Sequence, residues 1–213
     1  MDFFFECQYK AMVSATPIEI NDPRFEEQGF QILKVKPTFE YKRDINLWVT
    51  NNLLQTVKEV LAKVEDKTCF LFCNSTDTIY TLMKQLNILD KSAVFCSDKS
   101  VDKLKGLKFK SANSTWSENN MKHYNWLTSR FYNAVDIEIN ECPNVLLLTD
   151  CYMAGYTIFD PNTDIIQCAG RFRNGITSLY LISNVNNNFP VQNRDYLNGF
   201  IQCSKNIYDA TKC

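Results

Sequence analysis

Thr68-Cys69-Phe70-Leu71-Phe72-Cys73 is an apolar run interrupted by nothing charged, and Asn74-Ser75 follows it directly. From Asp77 to Leu86 the apolar positions are Ile79, Leu82, Met83 and Leu86, which share one side of a helix. A continuous apolar run has no polar face to turn toward water, so it predicts a strand buried on both sides. The same alternation returns downstream. Ala93 to Cys96, Tyr124 to Thr128, Val145 to Thr149 and Ser178 to Ser183 predict further strands, and a helix around Gln167 separates the last two. Buried strands alternating with helices predict an α/β fold with a mostly parallel sheet and helices on both faces. Ligands on such sheets bind beyond the carboxyl ends of the strands. That places Asn74, Ser97, Thr128 and Thr149 on the expected functional edge.

Outward from this centre the pattern weakens. Between Asp44 and Val64, apolar residues at Ile45, Leu47, Trp48, Leu53, Leu54, Val57, Val60 and Leu61 predict one amphipathic helix. Residues 1–16 read as extended. Pro17, Pro23 and Pro37 surround Phe30 to Val35, which reads as a strand or extended connector. Residues 98–123 are polar, Lys-rich and poorly periodic, and predict helices or loops. Asn186-Asn187-Asn188 is a polar turn, and the chain after Arg194 predicts one helix.

Composition sets the bounds. At 213 residues the chain holds one good-sized domain, or one domain with a fragment of another. A formal net charge of −1 gives no global case for nucleic acid, so any such surface must be local. No apolar run reaches the length of a membrane span, and the Phe3-Phe4-Phe5 start is too short and acid-flanked for a signal peptide. The cysteines are scattered and odd in number, with no Cys-x-x-Cys pair. That pattern predicts reduced thiols, a cytoplasmic setting and no metal site. His123, the only histidine, lacks a catalytic partner in sequence and reads as a surface residue.

Two segments carry chemistry. Gln167-Cys168-Ala169-Gly170-Arg171-Phe172-Arg173 places two guanidiniums and a carboxamide by a short helix, next to a glycine that permits close backbone approach. Arginine forks suit phosphate or the charge that develops in phosphoryl transfer, although a solvated basic helix end has the same composition. Lys10 to Pro17 contains Ser14-Ala15-Thr16, an apolar run ending in two small hydroxyls. Together and in this order, the two segments resemble superfamily 2 helicases, nucleic-acid-dependent ATPases built from two RecA-like lobes. In that family a Ser-Ala-Thr signature closes the first lobe and a Gln-x-x-Gly-Arg signature lies late in the second. The resemblance covers residues 10–185. It implies that 1–36 is the end of the first lobe with a connector, 37–185 the RecA-like C-terminal lobe, and 186–213 a helical tail.

The resemblance extends to the intervening motifs. Phe70 to Ser75 and the helix after it look like motif IV, which implies that Asn74 and Ser75 face a nucleic-acid backbone; either also reads as a plain N-cap. Motif V, a threonine with a glycine six residues on and an acid two further, has two contenders. One is Thr128 to Ile137, with Ala134 in the glycine place and Asp136 in the acidic place. The other is Thr149 to Ile158, which keeps Gly155 but has Thr157 for the acid. Only 18 residues separate Thr149 from Gln167, too few for a further strand before the arginine helix, against 39 from Thr128. Spacing favours the first. The resemblance then implies that Thr128 and Ser129 touch strand phosphates, that Gln167, Gly170 and Asp136 lie by ATP, and that Ser14 and Thr16 couple the lobes. Arg171 and Arg173 would be arginine fingers, with Arg171 the one on the γ-phosphate. Here a single residue separates the arginines where most members have two, a form similar to some viral origin-binding helicases.

No Gly-x-x-x-x-Gly-Lys-Ser/Thr loop and no Asp-Glu metal motif occurs in the chain. The expectation is therefore a lobe that uses ATP and Mg²⁺ only with a first lobe that supplies them, that binds neither tightly alone, and that grips single-stranded DNA or RNA. The alternative is a degenerate helicase-like module that binds nucleic acid or protein without ATPase activity.

Overall fold

The computed structural model describes residues 2–16, 20, 22–36, 38, 43–64, 67–133, 135–186, 188 and 193–211. Pro17, Pro37, Ala134 and Asn187, used in the reading above, lie outside them. In chain order the elements are α1 (Asp2–Glu6), α2 (Arg24–Glu27), β1 (Asn46–Thr50), α3 (Leu53–Lys63), β2 (Cys69–Phe72), α4 (Thr76–Gln85) and β3 (Ser92–Phe95). They continue with α5 (Asp98–Gly106), β4 (Ala112–Asn113), β5 (Tyr124–Leu127), β6 (Asn144–Asp150), α6 (Asp164–Gly170), β7 (Ser178–Asn184) and α7 (Arg194–Thr211).

The strands form one seven-stranded sheet in the order β1-β7-β6-β2-β5-β3-β4, and every pairing is parallel. Strand by strand the side chains divide between two faces, as the two-residue period requires. On one face Cys69, Leu71, Val94, Trp126, Leu146 and Ile182 pack under α3, α4 and α5. On the other, Phe70, Phe72, Phe95, Val145, Leu147 and Leu179 pack under α6 and the segments around Phe131, Ile137 and Phe159. The molecule is thus a three-layer α/β domain, consistent with a RecA-like architecture. Its strand order reverses at β2, which lies between β5 and β6, so the crevice expected to take ligand opens at the carboxyl end of β2.

Two expectations are corrected. The stretch from Asp44 to Val64 is not one helix: β1 occupies its first part, and Asn52 caps α3 by accepting the N–H of Gln55 at 3.1 Å. The apolar residues of β1 mimic a helical stripe because only one face of this edge strand is covered. Trp48 packs beneath α3, while Leu47 and Val49 are 61% and 64% exposed. Of the two readings of Phe30 to Val35, the connector stands: the segment forms no strand, and Ile32, Leu33 and Val35 lie open to solvent. Residues 1–16 are not wholly extended, since α1 sets Phe4 and Phe5 against Phe25 and Phe30 in a small aromatic cluster. The Lys-rich region resolves into α5, the short β4 and a 3-10 turn at Glu118–Asn120.

Candidate functional site

At the carboxyl edge, Asn74 ties together the three loops of the strand-order reversal. Its Oδ1 accepts the Ser129 N–H at 3.3 Å after β5, and its Nδ2 donates to the Tyr156 carbonyl at 3.3 Å after β6. Ser75 serves as the N-cap of α4, accepting the Thr78 N–H at 3.2 Å and the Thr78 hydroxyl at 2.9 Å, and it is buried. Thr128 is also buried, with its hydroxyl donating to the Phe95 carbonyl at 3.4 Å, whereas Ser129 is exposed. Of the four residues expected to touch a strand backbone, Ser129 and the edge of Asn74 therefore face outward.

A cavity of about 180 Å³ opens here, lined by Asn74, Thr76, Ser97, Ser100, Thr128, Ser129 and Arg130. The amino ends of α4 and α5 both border it, and unpaired N–H groups at such ends favour anions. Arg130 pairs with Asp98 at 3.3 Å, and hydrogen bonds from Ser114 and then Arg130 hold the Asp98 carboxyl below its ordinary range. Thr76, Ser100 and Arg130 escaped the sequence reading. Only adjacency to Thr128-Ser129 signalled Arg130, and Ser100 reaches the cavity from the first turn of α5.

The second group sits at the end of α6. The helix stops at Gly170, so Gln167 and Gly170 are helical while Arg171 and Arg173 lie past the carboxyl terminus, where the helix dipole favours cations. Arg171 does not protrude. Its Nε donates to the Gln167 carbonyl at 3.0 Å, its Nη1 donates to the carbonyls of Asn133 and Val135 at 3.2 and 3.4 Å, and its side chain is 20% exposed. Arg173 is half exposed, and its Nη2 donates to Asp136 Oδ1 at 2.6 Å. Phe172 between them is buried against Phe70, with ring centroids 4.9 Å apart, and Ile137 bridges to its backbone. Gly170 is not required for close approach, because an added Cβ would meet nothing within 4 Å.

The two sequence anchors meet. Gln167 Nε2 donates to Thr16 Oγ1 at 2.9 Å across 151 residues, and Ser14 Oγ accepts the Thr16 N–H at 3.1 Å. Between Thr128 and α6 lies β6, the intervening strand on which the spacing argument for motif V rests. Residues 151–163 contain no strand, only a 3-10 turn at Gly155–Thr157, so β6 with Thr149 and Asp150 leads directly to α6. Thr157 is 1% exposed; its hydroxyl accepts the Asp150 N–H at 2.7 Å and donates to the Ala154 carbonyl at 2.8 Å. This residue braces its own turn where a carboxylate would reach outward.

Arg171 Nε and Nη1 donate to carbonyls of its own domain, Asp136 Oδ1 lies 2.6 Å from Arg173 and 3.8 Å from Arg171, and neither arginine lines the cavity described above. Among the described residues no cluster of His, Cys, Asp or Glu is arranged to hold a metal ion, and no helix is long and apolar enough to cross a membrane. The fold and site define a parallel three-layer α/β domain with a hydroxyl-rich crevice at its strand-order reversal. No family model and no curated protein matches the chain.

Proposed function

We propose that the chain is the C-terminal RecA-like lobe of a superfamily 2 nucleic-acid-dependent ATPase, together with the end of its first lobe. The observation that carries this reading is the Thr16–Gln167 hydrogen bond, which joins the Ser-Ala-Thr segment to the Gln-x-x-Gly-Arg segment from opposite ends of the chain. A chance pair of short motifs has no reason to meet in space. Thr128 to Ile137 stays the motif V stretch in this reading, with β6 as the strand between it and α6. In this reading the crevice around Asn74, Ser129 and Arg130 grips a single-stranded backbone without regard to sequence. Arg173 is the finger, released from Asp136 toward a triphosphate held by a phosphate loop on another lobe; ATP with Mg²⁺ would supply the hydrolysable anhydride there. Arg171 orients the segment that carries it.

The test has two arms. The purified chain is expected to show no ATP turnover above background, with or without single-stranded DNA or RNA. Joined to a lobe that supplies the phosphate loop, it is expected to turn over, and Arg173→Ala to lower turnover by about 10³-fold or more with little change in strand affinity. Equal loss of turnover and affinity would overturn the finger role. The internal ties of Arg171 and the Asp136–Arg173 pair also favour a second reading, a binding module without ATPase activity. Micromolar affinity of the lone chain for a single strand, together with no turnover in the joined protein, would select it.

A further inference from the structure

At the opposite edge of the sheet, before the amino ends of β3, β4 and β5, lies a cavity of about 370 Å³. None of the candidate site residues lines it. Its apolar floor comes from Tyr80, Leu89, Leu107 and Phe109, and Lys108, Lys110 and Lys122 stand around it against the single carboxylate of Asp90. On a chain of net charge −1 this is a local excess of cations. Lys122 is held in place, its Nζ donating to the Asp90 carbonyl at 2.8 Å, and the Tyr80 hydroxyl donates to the Leu107 carbonyl at 3.3 Å. Among the described residues the ammoniums of Lys108 and Lys110 make no hydrogen bond or ion pair.

Lys108 is the telling residue. It follows the C-cap of α5 with φ of +64°, where the Phe109 N–H returns to the Leu104 carbonyl at 3.0 Å. Helices end this way with glycine, or sometimes asparagine, because a Cβ is unfavourable in the left-handed region. A lysine here weakens the turn and places an uncompensated charge at the cavity mouth. We infer that this cavity is a binding site for a phosphate-bearing ligand of nucleotide size, its phosphate held by Lys108, Lys110 and Lys122 and its sugar or base lying on the Tyr80–Leu107 floor. Ammoniums are compact donors that suit phosphate as a point charge, and the volume falls in the range of small-molecule sites. The phosphate has two sources, a free nucleotide or a residue of a nucleic-acid strand passing behind the sheet. The inference stands apart from the helicase reading, since its residues and its edge of the sheet are different.

The experiment titrates the full chain, isotopically labelled, with ADP and separately with a twelve-residue oligothymidylate, following amide shifts and fluorescence anisotropy. Shifts at Leu107 to Ser111 and Lys122 are expected with at least one probe. ADP alone identifies a nucleotide pocket, and the oligonucleotide alone a strand track. Lys108→Gly separates binding from folding: it should raise the thermal midpoint while weakening the active probe several-fold and reducing its salt dependence by about one charge. Lys110→Gln should weaken the probe without moving the midpoint. Unchanged affinity in both variants, shifts confined to the Asn74–Ser129 edge, or response only to an acidic peptide would overturn the inference.

Discussion

At the scale of single residues, Arg171 and Arg173 differ by what surrounds them. Arg171 satisfies three carbonyls from a largely buried position, and hydrogen bonds from a charged donor contribute about 1.5–3 kcal/mol each when their loss strands a partner. Arg171→Ala is expected to lower unfolding free energy by about 2–3 kcal/mol in urea titration. Arg173 holds only the exposed Asp136, a surface pair worth less than about 1 kcal/mol, so Arg173→Ala should leave the midpoint nearly unchanged. Equal destabilisation by the two variants would mean that Arg173 is as structural as its neighbour. Thr157 gives a sharper case, because Thr157→Val keeps the shape and removes the hydroxyl. It should cost about 1–3 kcal/mol, since the Asp150 N–H loses its acceptor in a buried turn.

At the scale of elements, two roles were expected of Ser75, helix cap and strand contact, and mutation can separate them. As the α4 N-cap its loss in Ser75→Ala is expected to cost about 1 kcal/mol. Because it is buried, strand affinity should fall no further than that of Ser75→Thr, which retains the cap; a large selective loss of affinity would show that the hydroxyl reaches the ligand. The elements legible in the sequence were those whose period matched their burial. β2 shows all four residues buried and read as a continuous apolar run, while α4 turned Ile79, Leu82 and Met83 inward at helical spacing. Those that escaped were set by contacts outside their own window. β1 is covered by α3 on one face only, so Leu47 beside Trp48 imitated a helix, and two-residue β4 exists only because β3 offers it an edge. The site was legible as far as residue chemistry and strand ends could carry it, in Asn74 and Ser129 and in Thr16 and Gln167 as separate motif residues, but not in the bond that joins the last two. Its directions were not: the inward turns of Ser75, Thr128 and Arg171, and the arrival of Arg130 and Ser100, depend on packing that no local pattern encodes.

At the scale of the whole molecule, the sheet controls the thiols. Cys69, Cys73, Cys96 and Cys168 lie within the two cores, while Cys142 and Cys203 are exposed. Burial pushes the Cys69 and Cys73 thiols up to about 12 and Cys96 to about 11, because a thiolate would be stripped of water between packed layers. The consequence for stability has a definite sign. Below about pH 9 folded and unfolded chains both keep these protons, and the thiols contribute no pH dependence. As pH rises from there toward about 12, the unfolded chain releases protons that the fold retains, so unfolding is drawn forward and stability falls. Urea midpoints measured from pH 7 to pH 10.5 should therefore decline above about 9, and replacing Cys69, Cys73 and Cys96 with alanine should flatten that decline relative to each protein's own value at pH 7. An aromatic disulfide reagent at pH 8 should label Cys142 and Cys203 quickly and those three only on the timescale of unfolding. Rapid labelling of Cys73 in the native protein would mean that β2 is not sealed between two layers, and the parallel three-layer arrangement on which the crevice depends would fall with it.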